Sequence, residues 1–446
     1  MKKRIALLML ALLLTLSMSA CGSSAKPEPA QEPDAAEKTQ ETAETPEAAP
    51  EAAPEETPAE DTTAIEPERN DTDALTWEFD AASGTLSIYG EGPMRDYSAE
   101  PPEWEVHKDE ILAVKLDEGI TSVGAYAFFN YTNLAEITLP DSVAVIDTSA
   151  FDYDWSLRTI TIPASLRYVG DRAFYNTLLW EPENLIFPEG CEYIGDEAFH
   201  SALKSGGTVS LPASLRYLGE QSFTNAYLSD FVVAEGNETY CSENHAIYTK
   251  DKKQLLMLAP VSGLTEFSVP DGVERICAEC FNVIQGVETV TIPASVTEIA
   301  EGAFFSTFDL REIRVDEANP NYRSENGLLL SSDGTLLLAW PDGTEGSELV
   351  IPEGVERLGA HLLYGRSGSS YTVVLPEGVK ELGTMCLPQS MTSLTLPASL
   401  ETINADVFYP GIQIDSITYR GTAEDWQKVL IEDGNTGLNA DAIQMN

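Results

Sequence analysis

Residues 143–177 read VAVIDTSAFDYDWSLRTITIPASLRYVGDRAFYNT, and the fold follows from how this text repeats itself. Ala150-Phe151 returns as Ala173-Phe174, each behind a short apolar pair, Val145-Ile146 or Tyr168-Val169. Between them Ile160-Thr161-Ile162 is closed by Pro163, a residue that cannot donate to a strand ladder and so ends one. Outward from this stretch the dipeptide recurs as Ala127-Phe128, Ala198-Phe199, Ser222-Phe223, Cys280-Phe281, Ala303-Phe304, Leu362-Leu363, Cys386-Leu387 and Val407-Phe408. Starting from Phe128, the steps are 23, 23, 25, 24, 58, 23, 59, 24 and 21 residues. A period of this size predicts a solenoid. A unit so short cannot cover its own apolar side chains. It becomes stable only when neighbours cover both of its flat faces and share hydrogen bonds with it.

In Ile137-Thr138-Leu139 and its equivalents, strand alternation points the outer two residues into the core and the middle one out. Thr138, Thr161, Ser210, Ser268, Thr291, Thr395 and Thr418 then form an outward column along one parallel sheet, interrupted by the apolar Ile186, Val232, Val350 and Val374. The two long steps share an insert. Asn237, Tyr240, Ser242, Pro270 and Val273 recur 82 residues later as Asn319, Tyr322, Ser324, Pro352 and Val355. Each copy has two apolar runs around a turn, at Asp251-Lys252-Lys253 or Asp333-Gly334, which predicts a β-hairpin projecting from the array.

Units of the form LxxITIPxSLxxIGxxAF with such inserts, over roughly residues 110–420, resemble the BspA-like leucine-rich repeats of bacterial surface proteins. The resemblance implies a leucine-rich-repeat solenoid of about a dozen turns, with a parallel β-sheet on the concave face and short strands and turns elsewhere. It also implies display at the cell exterior and binding of host or neighbouring-cell ligands. Residues Leu75 to Tyr97, with Pro101-Pro102-Glu103-Trp104 after them, look like that family's entry cap, and Ile417 to Val429 like its exit.

The N-terminus supplies an address. Lys2, Lys3 and Arg4 precede an apolar run from Ile5 to Leu16, too short to span a bilayer and long enough for an export signal. Met18-Ser19-Ala20-Cys21 resembles the bacterial lipobox, with Met18 where Leu is usual, so Cys21 is the expected lipidation site. Residues 22–72, dense in Pro, Glu, Ala and Thr and without an aromatic, are expected to stay disordered and act as a tether. The expected organisation is thus a signal peptide at 1–21, the tether at 22–72, a β cap at 73–110, the solenoid at 111–416 with inserts near 234–260 and 316–341, and a C-terminal cap at 417–446.

Of 446 residues, 73 are acidic and 26 basic, a net charge of −47, which argues against nucleic acid or an anionic membrane surface as partner. Cys277-Ala278-Glu279-Cys280 has redox or metal spacing, but both cysteines fall in core slots of the repeat, as do Cys191 and Cys386. Cys241 matches Arg323 of the second insert and is expected at the surface. His107, His200, His245 and His361 lie far apart, and His245 overlays Gly327, which predicts a turn position with positive φ. Acidic pairs such as Glu235 with Glu238 read as solvated surface, and no catalytic set, metal site or cofactor is expected.

What remains is surface. The leading expectation is a noncatalytic, lipid-anchored surface protein that binds an extracellular protein or glycan, with adhesion as its expected role. A structural envelope scaffold or spacer assembling with other surface proteins is the second reading. The candidate contact residues are Ile186, Val232, Val350 and Val374 on the sheet, with Tyr240, Tyr248, Tyr322 and Trp340 on the inserts.

Overall fold

The computed structural model describes residues 75–180, 183–344, 348–365, 371–439 and 443–445. The expected signal peptide with Cys21 and the expected tether lie outside them. The chain winds into a parallel-strand β-solenoid of about 14 turns, slightly more than the dozen expected from the repeat count.

Each coil contributes to two ladders. The anticipated one contains strands such as Glu136–Thr138, Leu185–Ile186, Thr208–Leu211 and Asp230–Val233. The second is built from the short pair ahead of each Ala-Phe, with Val145, Tyr168, Tyr193 and Tyr217 in one register. Among the described residues helix is confined to a 3-10 segment at Glu103–Glu110 and one α-helical turn at Ala423–Trp426.

The Ala-Phe dipeptide forms the spine. Phe128, Phe151, Phe174, Phe199 and Phe223 are fully buried and stack coil on coil, with centroids 5.5, 5.2, 4.9 and 5.3 Å apart. The alanine slot is closed against its neighbours and takes a small residue in most coils, as in Ala150, Ala198, Ser222 and Cys280, while the buried Leu362 and Val407 fill it farther along the array. The residue before that slot has positive φ in successive coils (Tyr126, Ser149, Arg172, Glu197 and Gln221 at 51–58°). This turns its N–H toward the next coil: that of Arg172 donates to the Asp196 carbonyl at 2.8 Å. The coils therefore bond to each other where no strand exists. Three residues before the slot the backbones nearly touch, and a Cβ on Gly195 would sit 2.5 Å from the Asp171 backbone nitrogen.

At the inserts the expectation needs correcting. Each insert has three strands, Tyr240–Glu243, Ala246–Thr249 and Gln254–Leu258 in the first, and the last pairs in parallel with Arg275–Ile276 of the next coil. The insert is thus continuous with the array and does not project from it. Its middle and last strands are buried on both faces: Ile247 and Met257 join the core that begins at Leu86, whereas Ala246, Tyr248, Leu255 and Leu258 join the core that follows. The second insert repeats this, with Leu328, Leu330 and Leu337 on one side and Leu329 and Ala339 on the other. Two β walls therefore divide the interior into three cores.

The residues shared by the inserts close the ladders that these walls interrupt. Asn237 Nδ2 donates to the Pro212 and Leu215 carbonyls, both at 2.9 Å, and its Oδ1 accepts from the Thr239 and Tyr240 N–H groups. Asn319 makes the same four bonds around Pro293, Val296, Asn321 and Tyr322. The tyrosine hydroxyls accept the N–H groups of Leu218 (2.9 Å) and Ile299 (3.0 Å), and the Ser242 and Ser324 hydroxyls those of Val233 and Val315. A strand left without its next neighbour would otherwise bury unpaired N–H groups.

Candidate binding face

The outward column forms as alternation requires: Thr138, Thr161 and Ser268 are exposed and Ser210, Thr291, Thr395 and Thr418 half-buried. The aliphatic members stand out from it. Ile186, Val232 and Val350 are 63%, 48% and 67% exposed, and Val374 is half-buried. Ser210 pairs with both Ile186 and Val232, so these two lie two strands apart on one three-stranded sheet. Val350 pairs directly with Val374, and Thr395 and Thr418 continue that row. The two groups belong to different sheets, with the strands bearing Ser268, Thr291 and Arg314 between them in the chain.

The insert aromatics do not join this face as a set. Tyr248 is fully buried and Tyr240 nearly so, because the middle strand is packed from both sides and the Tyr240 hydroxyl serves the Leu218 backbone. Neither presents a ring to a partner, contrary to the expectation. Tyr322 is half-buried with its hydroxyl on the Ile299 N–H, and Trp340 is half-buried with Nε1 donating to Thr344 Oγ1 at 3.1 Å.

Of the exposed aromatics that escaped the sequence reading, two adjoin this sheet in the chain. Trp180 and Tyr227 lie in the loops that lead into the strands of Ile186 and Val232. Lys204 occupies the coil between theirs, since its N–H donates to the Leu179 carbonyl and the Tyr227 N–H to the Leu203 carbonyl. Burial lowers the Lys204 amine to about 8. These loops carry no periodic slot, so only the bulk of the residue signalled them.

The remaining titratable groups serve structure. Asp152 and Asp154 are buried beside the phenylalanine spine, where burial raises the first to about 7 against the pull of Arg172 and raises the second well above the usual carboxylate range. Arg172 bonds Asp152 at 3.1 Å and Glu197 at 2.7 Å, tying neighbouring coils together. His200 stacks on Tyr175 at 4.8 Å and is kept neutral, its pKa lowered to about 4 chiefly by burial. His245 takes φ 66° at the tip of its turn, as the overlay with Gly327 (φ 81°) predicts. Cys191, Cys280 and Cys386 are buried free thiols in core slots, while Cys241 and Cys277 are half-buried and also free. Burial raises the Cys277 thiol to about 11, so it is a poor nucleophile. Among the described residues no group of three or more His, Cys, Asp or Glu is placed to hold a metal ion, and no helix is long and apolar enough to cross a membrane.

Residues 107–229, 260–326 and 343–434 match, in six copies, the family described as "BspA type Leucine rich repeat region". Among solved structures the chain is similar to a leucine-rich repeat protein from Eubacterium ventriosum, at 24% identity and TM-score 0.56, covering 83% of this chain and 95% of that one. It is also similar to a leucine rich cell surface protein from Faecalibacterium prausnitzii, at 20% identity and TM-score 0.46, over 82% and 98% of the two chains. No curated protein matches the chain.

Proposed function

Because the chain belongs to the family of BspA type leucine rich repeat proteins, we propose that it is a noncatalytic binding protein of the bacterial cell surface, displayed on a lipid anchor and recognising an extracellular protein or glycan in adhesion. The observation that carries this reading is a sheet face of hydroxyl residues broken by Ile186, Val232 and Val350, whose exposure has no packing purpose. Proteins of this repeat class commonly present such an extended surface to other proteins.

The experiment is a pull-down with the whole chain against extracellular-matrix and envelope extracts. Replacing Val350 and Val374 together by lysine is expected to abolish capture of the partner while leaving the melting temperature within about 2 °C, since surface substitutions cost little stability. Capture unchanged by that pair would remove the sheet face as the site. An array that only sets distance or assembles with other lipoproteins would instead recover envelope proteins through a different surface.

The anchor reading rests on the basic, apolar and small-residue order that ends at Cys21. Two or three acyl chains on that cysteine suffice for stable attachment. The same reading divides the chain into signal 1–21, tether 22–72, entry cap 73–110, solenoid 111–416 and exit cap 417–446. Cys21→Ala is expected to shift the chain from the detergent phase of a Triton X-114 partition to the aqueous phase, and no shift would overturn lipidation.

A further inference from the structure

The four outward aliphatic residues share a second property. Each is followed three residues later by an exposed glutamate and then a glycine: Ile186 by Glu189, Val232 by Glu235, Val350 by Glu353 and Val374 by Glu377. Four coils with an outward hydroxyl read differently, whereas Ser268 is followed by Asp271-Gly272, Thr138 by Asp141-Ser142 and the outward Lys115 by Glu118-Gly119. Thr161, Ser210, Thr291 and Thr395 are followed at the same distance by Ala164, Ala213, Ala294 and Ala398, each with serine after it.

The alternation of glycine with serine has a structural cause. Gly190, at φ 105°, donates its N–H to Ser214 Oγ of the next coil at 2.8 Å, and Gly378, at φ 113°, does so to Ser399 Oγ at 3.0 Å. That bond uses neither the glutamate side chain nor the aliphatic residue. Glu189 accepts the Ala213 N–H at 3.2 Å and Glu377 lies 3.5 Å from Arg420, while Glu235 and Glu353 have no ion-pair partner among the described residues. The coupling of an aliphatic patch to a carboxylate thus recurs in four coils without a common internal purpose. The outward column holds two cations, Lys115 at its first strand, beside Thr138, and Arg314, which is already bonded to Glu312 of its own strand at 2.6 Å.

Resting on the reading of this face as the binding surface, we propose that its partner is a polypeptide segment rich in lysine or arginine. A lysine or arginine side chain is an aliphatic stem with a cationic head. Each coil of the aliphatic type offers the matching pair, a methyl-bearing side chain for the stem and a carboxylate beyond the strand end for the head. Ile186 and Val232 stand two strands apart, ~9.6 Å at ~4.8 Å per strand, so an extended segment crossing the coils engages both. A net charge of −47 draws such a segment in, and the aliphatic contacts set where it stops.

The test titrates the whole chain against fluorescein-labelled decalysine at about 0.15 M salt, with decaglutamate and a Gly-Ser decamer as comparisons. The variant E189Q/E235Q/E353Q/E377Q is expected to weaken decalysine binding about tenfold or more. E100Q/E220Q/E301Q/E401Q, which removes the same charge from exposed positions off the sheet face, is expected to weaken it by under about twofold. I186S/V232S/V350S/V374S is expected to weaken it about threefold or more without changing net charge. Equal weakening by the two glutamine sets would mean that decalysine reads only bulk charge, and overturns the proposal. So does a partner from the pull-down that is lost with the Val350 and Val374 lysine pair but retained by E189Q/E235Q/E353Q/E377Q; the sheet face would then stand and its basic partner would not. Retention by both variants would overturn the sheet face as well.

Discussion

Replacing Phe151 by alanine is expected to cost about 3–5 kcal/mol. The ring is fully buried and lies between Phe128 and Phe174, at 5.5 and 5.2 Å and nearly parallel to both. Its removal leaves a cavity that neighbouring coils cannot fill, because their own rings are held in register by backbone bonds such as Phe151 N–H to the Ala173 carbonyl at 2.8 Å. Those bonds survive the substitution, so the loss measures packing alone. Thermal or guanidinium melts supply the number. Hydrogen exchange supplies the location, since amides of the flanking coils should lose protection while those beyond the first insert keep theirs. Phe308→Ala, at an exposed ring, is the control and should cost no more than about 0.5 kcal/mol. A melt indifferent to Phe151→Ala would mean that the spine does not hold the coils.

Asn319→Ala is expected to destabilise by about 3–4 kcal/mol. One buried amide here satisfies two carbonyls and two N–H groups, and alanine removes all four bonds, leaving the Pro293 carbonyl only the Val296 N–H at 3.3 Å. The diagnostic companion is Asn319→Asp, close in shape. It keeps the acceptor for the Asn321 and Tyr322 N–H groups but turns an acceptor toward the Pro293 and Val296 carbonyls, so it should fail at least as badly as alanine at neutral pH. If aspartate restored the melt, the amide donors would be irrelevant and the ladder-closing role of the insert would be wrong.

The architecture was legible because its two strongest signals are volumetric. Phe128 to Phe223 must sit in the core, and a small residue must precede each where coils touch. Alternation also placed Ile186, Val232 and Val350 on the outside without knowledge of their neighbours. The positive φ before each alanine was not legible, since Tyr126, Ser149, Arg172, Glu197 and Gln221 are not residues that announce it; the conformation is imposed by bonds to the next coil. Tyr240 and Tyr248 were misread for a related reason. The 82-residue recurrence marked Asn237, Tyr240 and Ser242 as one element, but recurrence alone does not tell a ring used for recognition from a hydroxyl used to finish a ladder. A hairpin is expected to have a wet face, and only the coordinates reveal that Ile247 and Tyr248 are both dry.

The two β walls give the molecule something a plain stack of coils lacks. In an uninterrupted pile, the loss of one layer strips cover from the next and the damage runs on. Here Ile247 and Tyr248 back onto separate interiors, and Leu329 and Leu330 do the same farther along. A breach anywhere in the array meets a bulkhead, as flooding does in a divided hull, and that limits how much of the chain is lost at once.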